Sequence, residues 1–209
     1  MPLQNRVTPE GEIVVSDARG TMMGNRGGPM HNEARMLSRR RWVSKQWICC
    51  RLEFNDRRRQ VMAPDRYTEL FFLDESTALA AGHRPCFECR RQDFLWFATL
   101  WGRGKGLVGR VTAGDMDAVL HPERVDAGGR KVVWSGDLQR LPSGTFVRHA
   151  GRPHLVLASW LLEWSPAGYV ATHRRPDTAT VEVITPRSIV AVLSAGYCPS
   201  LHPSTEVVG

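Results

Sequence analysis

Between Ala80 and Phe94 the chain reads AAGHRPCFECRRQDF, and the Cys86-Phe-Glu-Cys89 spacing constrains its neighbourhood more than any other stretch does. Two thiolates two residues apart face one metal ion when a tight turn leads into a helix. The first N–H groups and the dipole of that helix then stabilise the thiolate charge. Gly82 supplies the permissive bend before the pair. Pro85 suits a position near a helix start, where a missing N–H costs little. A zinc knuckle at Cys86 and Cys89 is the leading expectation. A redox pair stays open, although a thioredoxin-like motif expects a preceding βαβ strand and small or Pro residues between the cysteines. So do two buried structural cysteines without metal.

The cysteine count supports the metal reading. Cys49, Cys50, Cys86, Cys89 and Cys198 are an odd number, which argues against a complete disulfide framework. No apolar run approaches the roughly 20 residues of a membrane-spanning helix, and the N-terminal MPLQNRVTPEGEIVV lacks a basic-then-apolar signal pattern. A cytoplasmic protein with reduced thiols and no membrane partner is expected. The net charge of +7 favours an anionic partner, nucleic acid or a phosphorylated substrate.

The hydrophobic pattern predicts an α+β chain with three regions: a basic, zinc-binding part over 1–105, a linker and short helix over 106–131, and a β-rich part over 132–209. Residues 132–209 either form a separate domain or finish one continuous domain with the rest. In the first region EIVVSD is strand-like, and His31 to Arg41 begins a helix. Trp47 to Phe54 and QVMAP form a hairpin around NDRRRQ. YTELFFLD is a strand or a buried run. Asp74, or Glu75 with Ser76, caps a helix that Gly82 stops. A second helix starts near Pro85 or Cys86 and buries Phe94, Phe97 and Trp101. DMDAVLHPERV is a short helix holding His121. Beyond Val132, short runs such as TFVRHAG, PHLVLAS, LLEWSP and GYVATH, separated by turn residues, predict mostly antiparallel β structure. PRSIVAVLSAG closes the chain as a helix.

From Tyr67 to Phe94 the chain resembles the zinc-binding module of the Ada-type DNA-alkylation response proteins: a strand, a short alanine-rich helix, a Gly-x-Arg-Pro-Cys-x-x-Cys turn and a helix. The resemblance implies a treble-clef-like unit of hairpin plus helix, with Cys86 and Cys89 as the downstream zinc ligands. The family's remaining ligands are cysteines from an upstream segment. Here Cys49 and Cys50 are adjacent, and on a strand they point to opposite faces. One of them, Cys50 in the leading assignment, reaches the ion, with His31 or His83 as the fourth ligand. Methyl transfer is not carried over.

Three arginine runs lie beside aromatics or predicted turns: Arg39, Arg40 and Arg41; Arg57, Arg58 and Arg59; Arg90 and Arg91. Such runs supply sequence-independent phosphate contacts, and neighbouring rings stack on unpaired bases. A charge run is equally a solvated face. The first functional expectation is therefore a zinc protein that engages nucleic acid. The alternative is a hydrolase or other enzyme acting on nucleic acid or a phosphorylated substrate. Its candidate catalytic residues are Asn25, Arg26 and His31 around the glycines of MGNRGGPMH, together with Glu69, whose charge an apolar setting would perturb. The plainer readings are a glycine turn and an outward-facing carboxylate. His121 and the Cys198/His202 pair are further candidates without a compelling partner. No HExxH, GxSxG or P-loop ending is present.

Overall fold

A computed structural model describes residues 1–56, 60–104, 106, 109–177 and 179–206. It is a mixed α+β structure built on two six-stranded sheets. The first sheet contains β1 (Gln4–Val7), β2 (Ile13–Val15), β3 (Met22–Asn25), β4 (Ile48–Arg51), β5 (Leu70–Phe72) and β6 (Arg84–Pro85), in the order β2-β1-β5-β3-β4-β6. Its β1/β5 and β4/β6 pairs are parallel and the others antiparallel. The second sheet is antiparallel throughout. It holds β7 (Trp134–Asp137), β8 (Phe146–His149), β9 (Arg152–Leu157), β10 (Trp160–Ser165), β11 (Gly168–Arg174) and β12 (Thr180–Val183).

Helix α1 (Glu75–Ala80) follows β5 directly. Asp74 caps it, its carboxylate accepting from the Thr77 N–H at 2.8 Å, which satisfies one of the free donors at a helix start. Gly82 then turns with φ +92°, and a Cβ there would lie 2.7 Å from Cβ of Arg124. Both facts require glycine. The remaining helices are α2 (Arg91–Gly104), α3 (Ala113–Arg124) and α4 (Arg187–Ser194). Leu79, Phe97, Trp101, Met116, Leu120, Ile189 and Val192 from all four helices form one buried cluster. Leu73 and Ala80 pack with Phe146, Leu155, Leu162 and Tyr169 of the second sheet, so apolar burial runs from the first region into the third. Among the described residues no helix is long and apolar enough to cross a membrane.

Three local expectations are corrected. The segment from His31 to Arg41 is not helical. Asn32 instead folds it into a turn by accepting from the Met36 N–H, and His31 bridges to Leu37. The hairpin around NDRRRQ does not form, because β4 pairs with β3 and β6, and QVMAP stays in turns. Helix α2 begins at Arg91 rather than at Pro85 or Cys86, because Arg84 and Pro85 are spent on β6 and the knuckle occupies the next turn.

Candidate metal centre

The site starts from β4. Strand alternation sends Cys49 into the core beside Leu70 and Phe72, where it is fully buried, and turns Cys50 the other way. Next to it β6 runs parallel, with the Arg84 N–H donating to Trp47 O at 3.1 Å and the Cys86 N–H to Cys49 O at 2.9 Å. This two-residue strand sets the register that brings a sequence-distant knuckle against Cys50. The following turn closes when the Arg90 N–H donates to Cys86 O at 3.1 Å, and α2 continues from it.

The result is a three-sulfur cluster. The Sγ atoms of Cys50, Cys86 and Cys89 all lie within 4.8 Å of one another. Sulfurs about 2.3 Å from one tetrahedral zinc lie about 3.8 Å apart, so these residues fit the ion. The electrostatics agree. Cys86 is drawn well below the ordinary thiol range because Cys50 and Cys89 donate to its sulfur, with the Glu88 and Cys89 N–H groups also directed at it. Cys50 is pushed far up by its bonds to Cys86 and Cys89 and by burial. Cys89 gains from Cys50 and from the Arg51 N–H but is raised overall by Cys86 and burial. A bound cation is what would let all three thiols ionise together.

The cluster forms part of the wall of a cavity of about 580 Å³, whose other lining residues include Asn25, Ile48, Phe54, Tyr67, Glu69 and Phe71. Glu69 is buried, and its Oε2 accepts from the Met62 N–H at 2.7 Å. The plainer expectation of an outward carboxylate therefore fails. Asn25 is held by accepting from the Gly27 N–H at 3.0 Å.

His31, expected as a ligand, and Arg26, expected among the catalytic residues of the glycine-rich loop, are turned elsewhere. Thr68 Oγ1 lies 2.7 Å from Nδ1 of His31 and accepts from the Met30 N–H; because the Ala63 carbonyl at Nε2 can only accept, the neutral ring carries its hydrogen on Nε2 and Nδ1 accepts from the Thr68 hydroxyl. Nε2 of His31 then donates to Ala63 O at 3.1 Å. Both ring nitrogens are used, and His31 lies outside the sulfur cluster. His83 is also outside it, buried at Trp47 and Phe72. Among the described residues the ligands brought together are the three sulfurs.

Arg26 follows Asn25 and points the other way. With Arg124 it stacks on buried Trp47, the guanidinium carbons 3.9 and 4.5 Å from the ring. Arg26 donates to the carbonyls of Gly11 and Arg41, Arg124 to those of Gly82 and Lys45, and Lys131 to that of Ala80. Burial pushes the Lys131 ammonium down to about 7, helped by Arg26 and Arg124. These cations converge on a small cavity of about 30 Å³ that Glu10 and Glu12 also line. Arg124 and Lys131 had no signal in the sequence, since carbonyl-paired cations follow no spacing rule.

The arginine runs divide. Arg39, Arg40 and Arg41 are exposed and, with Trp42, Gly128 and Gly129, line a groove of about 470 Å³. Arg57, Arg58 and Arg59 lie outside the described residues. Arg91 is exposed, its guanidinium 4.5 Å from the Phe87 ring. Arg90 is a correction: it is 4% exposed, paired with Glu75 at 2.8 Å and Asp93 at 2.8 Å, and donates to Sγ of Cys49 at 3.6 Å. Its charge is spent inside, bracing the knuckle against α1, and it offers nothing to a phosphate.

No family model matches the chain, and neither the curated proteins nor the solved structures contain a match to it.

Proposed function

We propose that this protein is a zinc enzyme of hydrolytic type, with the ion held by Cys50, Cys86 and Cys89 and with Glu69 working from the same cavity. One observation carries the reading: three sulfurs and a buried carboxylate line one substrate-sized cavity. Structural zinc sites close with four protein ligands, whereas catalytic sites use three and keep a position open. Zinc bound there would supply a Lewis acid and a water of lowered pKa. Glu69 is fixed through Oε2, which accepts from the Met62 N–H, and its carboxylate would hold or pass a proton. Asn25 offers an amide to a polar substrate group, and Ile48, Phe54 and Phe71 limit water. A mostly apolar cavity of this size suits a small organic substrate or one unit of a larger chain.

The resemblance of Tyr67–Phe94 to the Ada-type module supports the Cys86/Cys89 pair. In this reading β4, the knuckle and α2 act as a treble-clef-like unit around the ion. A reducing, cytoplasmic setting belongs to it too, since the thiolates must stay unoxidised.

A second reading, nucleic-acid engagement, is favoured by the groove of Arg39, Arg40, Arg41 and Trp42, which pairs phosphate donors with a stacking ring.

The test begins with elemental analysis of untagged protein: Cys86→Ser and Cys89→Ser each lose one zinc per chain. Cobalt-substituted protein is then titrated with azide and read at its thiolate-to-cobalt charge-transfer bands, which report the cysteine centre alone. A changed visible spectrum identifies an exchangeable coordination position. An unchanged spectrum sinks the enzyme reading and leaves a closed, structural ion.

A further inference from the structure

The second sheet carries a cluster of ligating side chains that contains no cysteine. His154 on β9, Glu163 on β10 and His173 on β11 bring a ring nitrogen, a carboxylate oxygen and a second ring nitrogen within 4.8 Å of one another. The register explains the meeting. Glu163 stands opposite His154, while His173 stands opposite Leu161, one same-face step from Glu163. A third imidazole, His149 on β8, lies beside them, its ring centroid 5.2 Å from that of His154 and 6.0 Å from that of His173.

The decisive atom is Nε2 of His154. This residue is 1% exposed, and its Nδ1 lies 3.0 Å from the Arg152 carbonyl oxygen. A carbonyl only accepts, so Nδ1 carries the hydrogen and Nε2 carries the lone pair. That Nε2 is buried and without a hydrogen-bond partner. An unsatisfied buried acceptor is costly and rare in native structures. An imidazole whose Nδ1–H is fixed on a backbone carbonyl, with Nε2 left unpartnered within a cluster of ligating side chains, is how a metal-binding histidine is held ready.

The competing arrangement is an ion pair between Arg152 and Glu163. The Arg152 side chain is 70% exposed and that of Glu163 only 16%, so the arginine can swing into solvent and leave the carboxylate to an incoming cation.

We propose that His154, Glu163 and His173, with His149 beside them, bind a divalent first-row transition ion. Imidazole nitrogens with one carboxylate suit zinc, nickel, copper(II) or iron(II), and the absence of an oxygen cage disfavours calcium and magnesium. His173 is exposed, so the ion sits at the solvent edge of the sheet and exchanges there, cross-linking β9, β10 and β11.

Metal-free protein is titrated with zinc and, separately, with cobalt. Wild type is expected to take two ions per chain. Cys86→Ser keeps one, bound as cobalt without thiolate charge-transfer bands. His173→Ala, an exposed change that leaves folding intact, keeps the thiolate-type cobalt spectrum and binds the second ion more than about tenfold more weakly. A His173→Ala protein with both ions at wild-type affinity overturns the proposal, as does a Cys86→Ser protein that binds none while wild type binds only one. A single ion lacking thiolate bands in wild type would instead leave this site standing and remove the cysteine centre.

Discussion

The two ligand clusters are built in opposite ways. The cysteine centre takes two of its three ligands from one turn and has Arg90 behind it, tying the knuckle to Glu75 and Asp93. The histidine cluster takes one ligand from each of three strands, and its most buried member is left with an unused nitrogen. The first is braced by its own scaffold and belongs to the fold. The second is a cost that the sheet carries, and such a cost points to a ligand that relieves it.

The largest expected effect is that of stripping metal from the cysteine centre. An ion held by the three sulfurs would tie β4 to the knuckle, and its binding free energy adds directly to folding free energy. A chelator, or Cys86→Ser, is expected to lower Tm by more than about 10 °C, read by differential scanning calorimetry. A shift of only a degree or two would put this centre in the same class as the histidine cluster and erase the contrast.

Next comes the brace. Arg90→Met leaves Glu75 buried with one cation fewer and is expected to cost about 3–5 kcal/mol in urea unfolding. A loss below about 1 kcal/mol would mean that Arg90 contributes little and that the knuckle stands unaided.

Lys131 provides a smaller effect outside both clusters. Burial lowers its folded pKa to about 7 from 10.5, so between these values the unfolded chain holds a proton that the folded chain has released. Stability therefore rises with pH across that window, by at most about 1.4 kcal/mol per pH unit, and less because the half-buried side chain is screened by solvent. Below pH 7 the penalty is complete and constant. Lys131→Met is expected to flatten the rise in metal-free protein; an unchanged slope would assign it to other groups.

The smallest effect has the opposite sign. His154→Leu removes the orphaned nitrogen and is expected to stabilise metal-free protein by about 1 kcal/mol while abolishing the second ion. A destabilised variant would show that this histidine is needed by the sheet itself, and the contrast between the clusters would narrow.

The knuckle, the α1 helix with its Asp74 cap and the antiparallel third region were legible because each depends on neighbours within a few residues: Cys-x-x-Cys spacing, a cap and its N3 partner, and alternation between turns. That only one of Cys49 and Cys50 can face the knuckle was legible for a similar reason, since strand parity separates their faces, but which of the two does so was not. The segment His31–Arg41 misled because its polar residues match either a helix or an Asn-anchored turn, and the bridge to Leu37 decides between them. Arg90 misled because charge runs do not announce which member will be buried.

What the sequence determined by itself is thus the local chemistry: a cysteine pair on a tight turn, a basic run at Arg39–Arg41 and the secondary-structure class of each half. What only the tertiary structure decided is which distant groups meet. The two-residue strand β6 sets Cys50 beside Cys86, the segment leading into β5 places Glu69 at the same cavity, and the register of β9, β10 and β11 assembles His154, Glu163 and His173. Strand pairing joins residues by hydrogen-bond register rather than by spacing along the chain, so no local pattern records it.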